Sequence, residues 1–196
     1  FEVQTHGGES LLYVDSYAFD SALGDMDRYL LAEGTHEKPY EQLGAQLIEH
    51  NGRSGVRFTV WAPNAQRVSL VGDFNNWDGR RHPMRFHPGS GLWEIFIPGM
   101  TQGALYKYEI KTNYKEYTVA KADPLAFASQ MRPDTASVVW DINTYQWQDD
   151  GWMASRARHN ALNAPISIYA LHLGSSKLKN GWEWPPYRDL IDDLIP

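Results

Sequence analysis

Apolar and polar residues alternate along residues 56–72. Phe58, Val60 and Ala62 share one parity, and Val68, Leu70 and Gly72 repeat it beyond the turn pair Pro63-Asn64. Successive side chains of a strand point to opposite faces, so a period of two marks half-buried strands. The same rhythm, punctuated by turn residues, predicts strands over 45–50, 56–62, 66–72, 92–97, 105–111, 115–119 and 137–141. Asn51-Gly52 signals a hairpin, and Gly89-Ser90-Gly91 and Pro98-Gly99 signal further turns. Seven short strands over about a hundred residues fit an immunoglobulin-like β-sandwich. Its expected core is Phe58, Val60, Val68, Leu70, Trp93, Ile95, Tyr106, Tyr108 and Ile110.

The pattern changes on both sides of this region. Met26, Tyr29 and Leu30 fall at i, i+3 and i+4, which predicts a short helix over 25–33 closed by Gly34. Residues 1–24 offer a strand end, Leu11-Leu12-Tyr13-Val14, and a loop with Tyr17 and Phe19, too little for a complete fold. After Asp141 the rhythm stops, and residues 152–161 read either as a short helix or as an extended linker. Ile166–Gly174 is mostly apolar and closed by glycine, which suits a strand buried on both faces. Beyond a loop with Trp182, Trp184 and Pro185-Pro186, the pairs Leu190/Leu194 and Ile191/Ile195 have helical spacing. Strand, loop and helix form one α/β unit, which cannot bury its own apolar face. The expected fold class is therefore mainly β: a sandwich followed by the first β/α unit of a (β/α)8 barrel.

Composition narrows the function. A net charge of −6 and a pI near 5.6 argue against a nucleic-acid partner, whose affinity comes from cation–phosphate contacts. Arg80-Arg81 and Arg156–Arg158 are the basic clusters, and both are short. No apolar stretch approaches the ~20 residues that span a bilayer, so no membrane partner is expected. The chain has no cysteine, which excludes a disulfide scaffold and leans towards a reducing compartment; a cytoplasmic location is expected. The first ten residues carry no basic-then-apolar signal pattern, and a start at Phe1 is not expected to be the biological start.

Eight Trp and eleven Tyr are the compositional anomaly. Gly72-Asp73-Phe74-Asn75-Asn76-Trp77 sets two aromatics and two amides in a loop after a strand. A sugar stacks its C–H face on a flat ring and offers hydroxyls to amides, so Trp77 and Asn76 are candidate saccharide contacts. The competing reading of Trp77 is packing against an adjoining domain. Arg80, Arg81 and His82 read as part of an interdomain polar network. His82 and His87 stand five apart across a proline, not at metal-ligand spacing, and neither metal nor cofactor is expected. Gly7-Gly8 and Gly89–Gly91 are turns rather than phosphate loops, and there is no Gly-x-Ser-x-Gly elbow. Asp192-Asp193 reads as a solvated helix face, because adjacent helical residues point in different directions.

The segments WAPNA, VGDFNNWDGRRHPM, LWEIFIPG and LYKYEI resemble the β-sandwich (carbohydrate-binding module family 48) of the bacterial glycogen branching enzymes. ADPLAF, MRPDTAS, APISIY and HLGS extend the resemblance from about Met26 to Gly174. It implies that Trp77 stacks on glucose while Lys107 hydrogen-bonds its hydroxyls. The relatives' second stacking Trp falls near Asn113–Tyr117, where this chain offers Tyr114 and Tyr117, so Tyr117 joins the candidates and binding should be weaker. It further implies a preceding β domain ending in 1–24, a helical linker over 25–44, the module over 45–142, a linker over 143–163 and the start of an α-amylase-family barrel over 164–196.

Enzymes of this kind cleave an α-1,4 link and re-form it as an α-1,6 branch, using two carboxylates about 5–5.5 Å apart. In the family these lie at the ends of later barrel strands, so no catalytic residue is expected here. The first barrel strand also departs from the family pattern, with Ala170 in place of Glu and Ser176 in place of Trp. The expected partner is an α-glucan (glycogen or maltooligosaccharides), and the expected state is a monomer. Three other readings remain: a non-catalytic glycogen-binding module, a debranching or trehalose-releasing relative, and an immunoglobulin-like adhesion domain. GRRHPM and MRPDTAS count against the second, and residues 164–196 count against the first.

Overall fold

Two neighbouring residues of left-handed backbone, Asn51 (φ 49°) and Gly52 (φ 71°), make the turn that the Asn-Gly pair predicts. In this computed structural model they join β3 (Gly44–His50) to β4 (Arg53–Trp61) in an antiparallel hairpin. The structure describes residues 2–4, 6–8, 10–12, 14–115, 117–176, 178–184 and 187–194. Tyr13, Pro185, Pro186 and Ile195, which enter the readings above, lie outside the described residues. The chain divides into two units, Phe1–Gln146 and Trp147–Pro196.

In the first unit, β1 (Glu2–Gln4) and β2 (Ser10–Leu12) pair antiparallel with each other. The sandwich follows. After β4 the chain turns at 62–65 and enters β5 (Ala65–Gly72), which belongs to the other sheet. β6 (Arg85–His87) and β7 (Leu92–Pro98) return to the first sheet, giving the order β3-β4-β7-β6. The second sheet is built on β8 (Leu105–Thr112). β5 flanks one side of β8; β9 (Thr118–Lys121) and β11 (Ser137–Val138) flank the other, with β10 (Ala128–Ser129) beyond β11. The two short strands β6 and β10 have no periodic signal in sequence, since two or three residues cannot display a period.

The alternation places the core as expected. Phe58, Val60, Trp93 and Ile95 of the first sheet meet Val68, Leu70, Tyr106 and Tyr108 of the second, with Ile110 half-buried at the margin. Phe58 and Tyr106 bridge the sheets edge to face, their ring centroids 4.8 Å apart. A fully buried side chain of this size contributes roughly 1.5–3 kcal/mol. The two core tyrosines keep polar ends: both hydroxyls donate to Asp123 Oδ2, at 2.6 Å from Tyr106 and 3.2 Å from Tyr108. Burial raises the Asp123 carboxyl above its ordinary range, because the hydrogen bonds offset only part of the desolvation.

The outer face of the first sheet is covered by the N-terminal segment. Phe19 and Leu23 are buried, and α1 (Asp25–Glu33) ends at left-handed Gly34, whose N–H caps Leu30 O. Beneath this strap Glu94, 2% exposed, accepts from Ser21 Oγ (2.6 Å), Ala22 N (2.8 Å) and Leu23 N (3.1 Å) and pairs with His87 Nε2 (2.7 Å). Arg28 can only donate, so its contact with His87 Nδ1 makes that nitrogen the acceptor and places the imidazole proton on Nε2, facing Glu94. Arg57 ties down the same strap through the carbonyls of Ala22, Glu41 and Gln42.

The second unit has α2 (Asp150–His159), a single turn α3 (Leu173–Ser176) and α4 (Tyr187–Leu194). Helix therefore forms across most of 152–161, and the apolar spacing near the C-terminus also yields a helix. The strand read over Ile166–Gly174 does not form. Residues 165–172 take no regular structure, and Ile166, Ile168 and Tyr169 are each 83% exposed. A strand apolar on both faces depends on flanking strands and on layers packed against each face. No strand among the described residues pairs with this segment.

Candidate functional site

The loop 73–81 begins where β5 runs out, and it folds back over the outer face of the second sheet. Val68 and Leu70 point into the core, so Ser69 and Val71 point outward, yet they are 0% and 2% exposed. The loop covers them. Gly79 lies so close to the Glu109 carboxylate that a Cβ there would collide with it, and Glu109 is itself fixed by Arg67 at 2.8 Å. At the loop's start Gly72 is extended (φ −179°), and a Cβ would strike the Leu105 carbonyl oxygen and the Phe74 ring.

Asn75 holds the loop together. It is 1% exposed; its Oδ1 accepts from Gly72 N (3.0 Å), and its Nδ2 donates to Leu70 O (2.9 Å) and to His82 Nδ1 (2.9 Å). Burial, and secondarily the Arg81 charge, holds His82 below its ordinary pKa, which keeps Nδ1 free to accept. The second amide, Asn76, does something different. Asn76 (φ 56°) and Trp77 (φ 58°) are both left-handed, a conformation Asn tolerates and Trp adopts at a cost. Trp77 N donates to Gly72 O (2.9 Å) and its indole Nε1 to Asp73 Oδ1 (2.8 Å). The indole is thus held by one hydrogen bond, to Asp73, and its backbone by another, to Gly72, while the residue remains 39% exposed. Strained backbone retained by its surroundings, carrying an exposed ring, is a feature of binding loops.

Asp78 receives Arg80 Nε (2.9 Å) and Nη2 (2.8 Å), with Arg81 at 4.0 Å. Those hydrogen bonds, Arg80's first, hold the Asp78 carboxyl well below the usual range and raise Arg80. The two arginines and His82 therefore make contacts within the loop itself. His82 and His87 enter separate networks, on Asn75 and on Glu94. Among the described residues no group of three or more His, Asp or Glu could hold a metal ion.

Lys107 sits opposite Val71 in the β5–β8 ladder and shares the outer face, where its Nζ donates to Thr135 Oγ1 at 2.8 Å. The Trp77 loop, Lys107 and Thr135 accordingly belong to one face of one sheet. Tyr117, 60% exposed, stands apart. Its carbonyl accepts from Thr112 N at 2.9 Å. Thr112 is five residues along β8 from Lys107, roughly 17 Å at ~3.4 Å per residue. Sequence reasoning missed Asn75, Asp73 and Thr135. The FNNW signal was visible, but which amide faces inward depends on the left-handed turn at Asn76.

Residues 42–126 match the profile of the family described as Carbohydrate-binding module 48 (Isoamylase N-terminal domain). Among curated proteins, the 1,4-alpha-glucan branching enzyme GlgB of Rhodospirillum rubrum is 49% identical over 192 residues, 98% of this chain and 26% of that protein. The enzyme of the same name from Paramagnetospirillum magneticum is 53% identical over 170 residues, 87% of this chain and 23% of that protein. This chain thus spans about a quarter of the length of these relatives. Among solved structures, pullulanase of Klebsiella pneumoniae complexed with maltotriose aligns over 58% of this chain and 11% of its own, at 30% identity and a TM-score of 0.44.

Proposed function

We propose that this chain is the glucan-binding part of a 1,4-α-glucan branching enzyme, a reading supported by the match of residues 42–126 to the profile of carbohydrate-binding module 48. Its sandwich holds an α-glucan chain on the outer face of the second sheet. The enzyme as a whole cleaves an α-1,4 link and re-forms it as an α-1,6 branch, and no residue of this chain is assigned to that cleavage. The branching assignment draws its support from 49% identity extending over 98% of the chain, well beyond the module itself.

The observation that carries the binding role is the indole of Trp77. Its Nε1–H is held by Asp73 and its backbone N–H by Gly72, yet part of its ring is left in solvent. A ring fixed before the ligand arrives loses little rotamer entropy on binding, which favours stacking on the C–H face of a sugar. Asn76 and Lys107 supply hydrogen bonds to hydroxyls beside it, and Tyr117 offers a more distant ring. A cytoplasmic location and a monomeric state belong to the same reading.

Titration of the chain with a maltooligosaccharide tests the assignment. Trp77→Ala should weaken binding while the cooperative melt is retained. Unchanged affinity refutes the stacking role, and loss of the cooperative melt would make Trp77 a packing residue instead.

A further inference from the structure

The sandwich is closed along one side and open along the other. Between β5 and β6 the crossing segment 82–84 ties the edges together: Leu70 N donates to His82 O and Met84 N to Val68 O, at 2.9 and 2.8 Å. On the opposite side β3 and β10 are the outermost strands, and no strand among the described residues joins either edge. A groove of about 490 Å³ runs along this open side, within the ~300–1,000 Å³ of small-molecule sites. One wall is Tyr40, Gln46 and Leu47; the other is Phe127, Trp140 and Asn143. None of these residues belongs to the Trp77 loop or its sheet face.

The chemistry of the lining is mixed in a specific way. Tyr40 and Trp140 are 43% and 44% exposed, and both line the groove. Neither the Tyr40 hydroxyl nor the Trp140 indole N–H has a hydrogen-bond partner among the described residues. Around them stand acceptors with capacity to spare. Asp141 uses one carboxylate oxygen on Asn143 N (2.8 Å), and Glu41 uses one on Lys38 (3.3 Å). Gln46 donates to the carbonyls of Tyr40 and Leu43, which orients the turn carrying Tyr40.

We propose that this groove is a second saccharide site, taking a linear α-glucan segment with its sugar faces against Tyr40 and Trp140. A sugar chain offers apolar C–H faces to the rings and many hydroxyls to the carboxylates and amides. A docked protein helix requires a continuous apolar stripe, which the carboxylates interrupt. The two carboxylates also oppose a phosphate-bearing polymer. The inference rests on the carbohydrate-binding reading of the chain, but not on Trp77.

Calorimetric titration of the whole chain with maltoheptaose separates the two sites. Wild type should show two binding events. Trp140→Ala should weaken one of them about tenfold or more, as expected for loss of a central aromatic contact. Trp140→Phe, which keeps a ring, should restore most of it at an unchanged melting midpoint. If Trp77→Ala removes all binding and Trp140→Ala none, the groove proposal is overturned and the loop assignment stands. If Trp140→Ala removes one event while Trp77→Ala changes nothing, the groove stands and the loop assignment falls. A shift in oligomeric state on Trp140→Ala, with both binding events intact, overturns the proposal in favour of a protein-facing surface. No binding by wild type overturns both assignments.

Discussion

Replacing Asn75 with alanine tests whether one buried amide supports the whole of the loop 73–81. The side chain is 1% exposed and makes three hydrogen bonds, to Gly72 N, Leu70 O and His82 Nδ1. Truncation removes all three and leaves the Gly72 N–H and the Leu70 carbonyl buried without that partner. Each neutral hydrogen bond contributes about 1 kcal/mol net, and a stranded buried group costs about 1–3 kcal/mol. Water can reach His82, which is only half-buried, so its loss counts least. The expected destabilisation is about 2–4 kcal/mol. In a chain of this size that is a fall of roughly 5–15 °C in Tm.

Urea and thermal unfolding of the two proteins side by side give the number directly. The loop also loses the anchor that holds Gly72 O beneath Trp77 N, so affinity for maltoheptaose should fall at temperatures where the variant is fully folded. Asn75→Asp sharpens the test. It keeps an acceptor for Gly72 N but sets an acceptor against Leu70 O, so it should be at least as damaging as alanine despite its matching shape. A loss below about 0.5 kcal/mol for Asn75→Ala, or a near-neutral Asn75→Asp, refutes the keystone role.

Gly72→Ala is expected to cost about 1–3 kcal/mol by overpacking, since its Cβ meets a backbone carbonyl rather than a flexible tip; an unchanged melt would show that β5 shifts freely there. Stability should also depend on pH. His82 and Glu94 both titrate lower in the folded chain than their ordinary values. For Glu94 burial raises the carboxyl, but the hydrogen bonds from His87, Ser21 and Ala22 together outweigh it. A depressed pKa stabilises above the unfolded value and is lost as pH falls through the folded one. The urea midpoint should therefore decline below about pH 6.5 through His82 and again below about 4.5 through Glu94. Asp123, raised by burial, works the opposite way: its contribution is present in acid and lost as pH rises through its folded pKa, so Asp123→Asn should steepen the acid decline. A midpoint flat between pH 7 and 4 would refute these assignments.

The period of two across residues 45–141 was enough to specify a sandwich and eight residues of its buried core, though not Ala45, Val56, Met84, Ile97 or Val139. That pattern depends only on the alternation of side chains along a strand. The hairpin at Asn51-Gly52 was equally legible, because only a few residue types accept left-handed backbone. The loop 72–77 stood out in sequence as aromatic and amide-rich, and that was sufficient to nominate Trp77 and Asn76. Tertiary structure alone decided that Asn75 turns inward while Asn76 and Trp77 turn left-handed and stay exposed. It also decided that residues 14–43 clasp the first sheet through Glu94 and Arg57, an arrangement invisible along the chain because its partners lie some 15 to 73 positions apart. The apolar run Ile166–Gly174 marks the limit from the other direction. Its sequence states that both faces need cover, but a strand forms only where neighbouring strands and packed layers supply the hydrogen bonds and the burial that its own residues cannot.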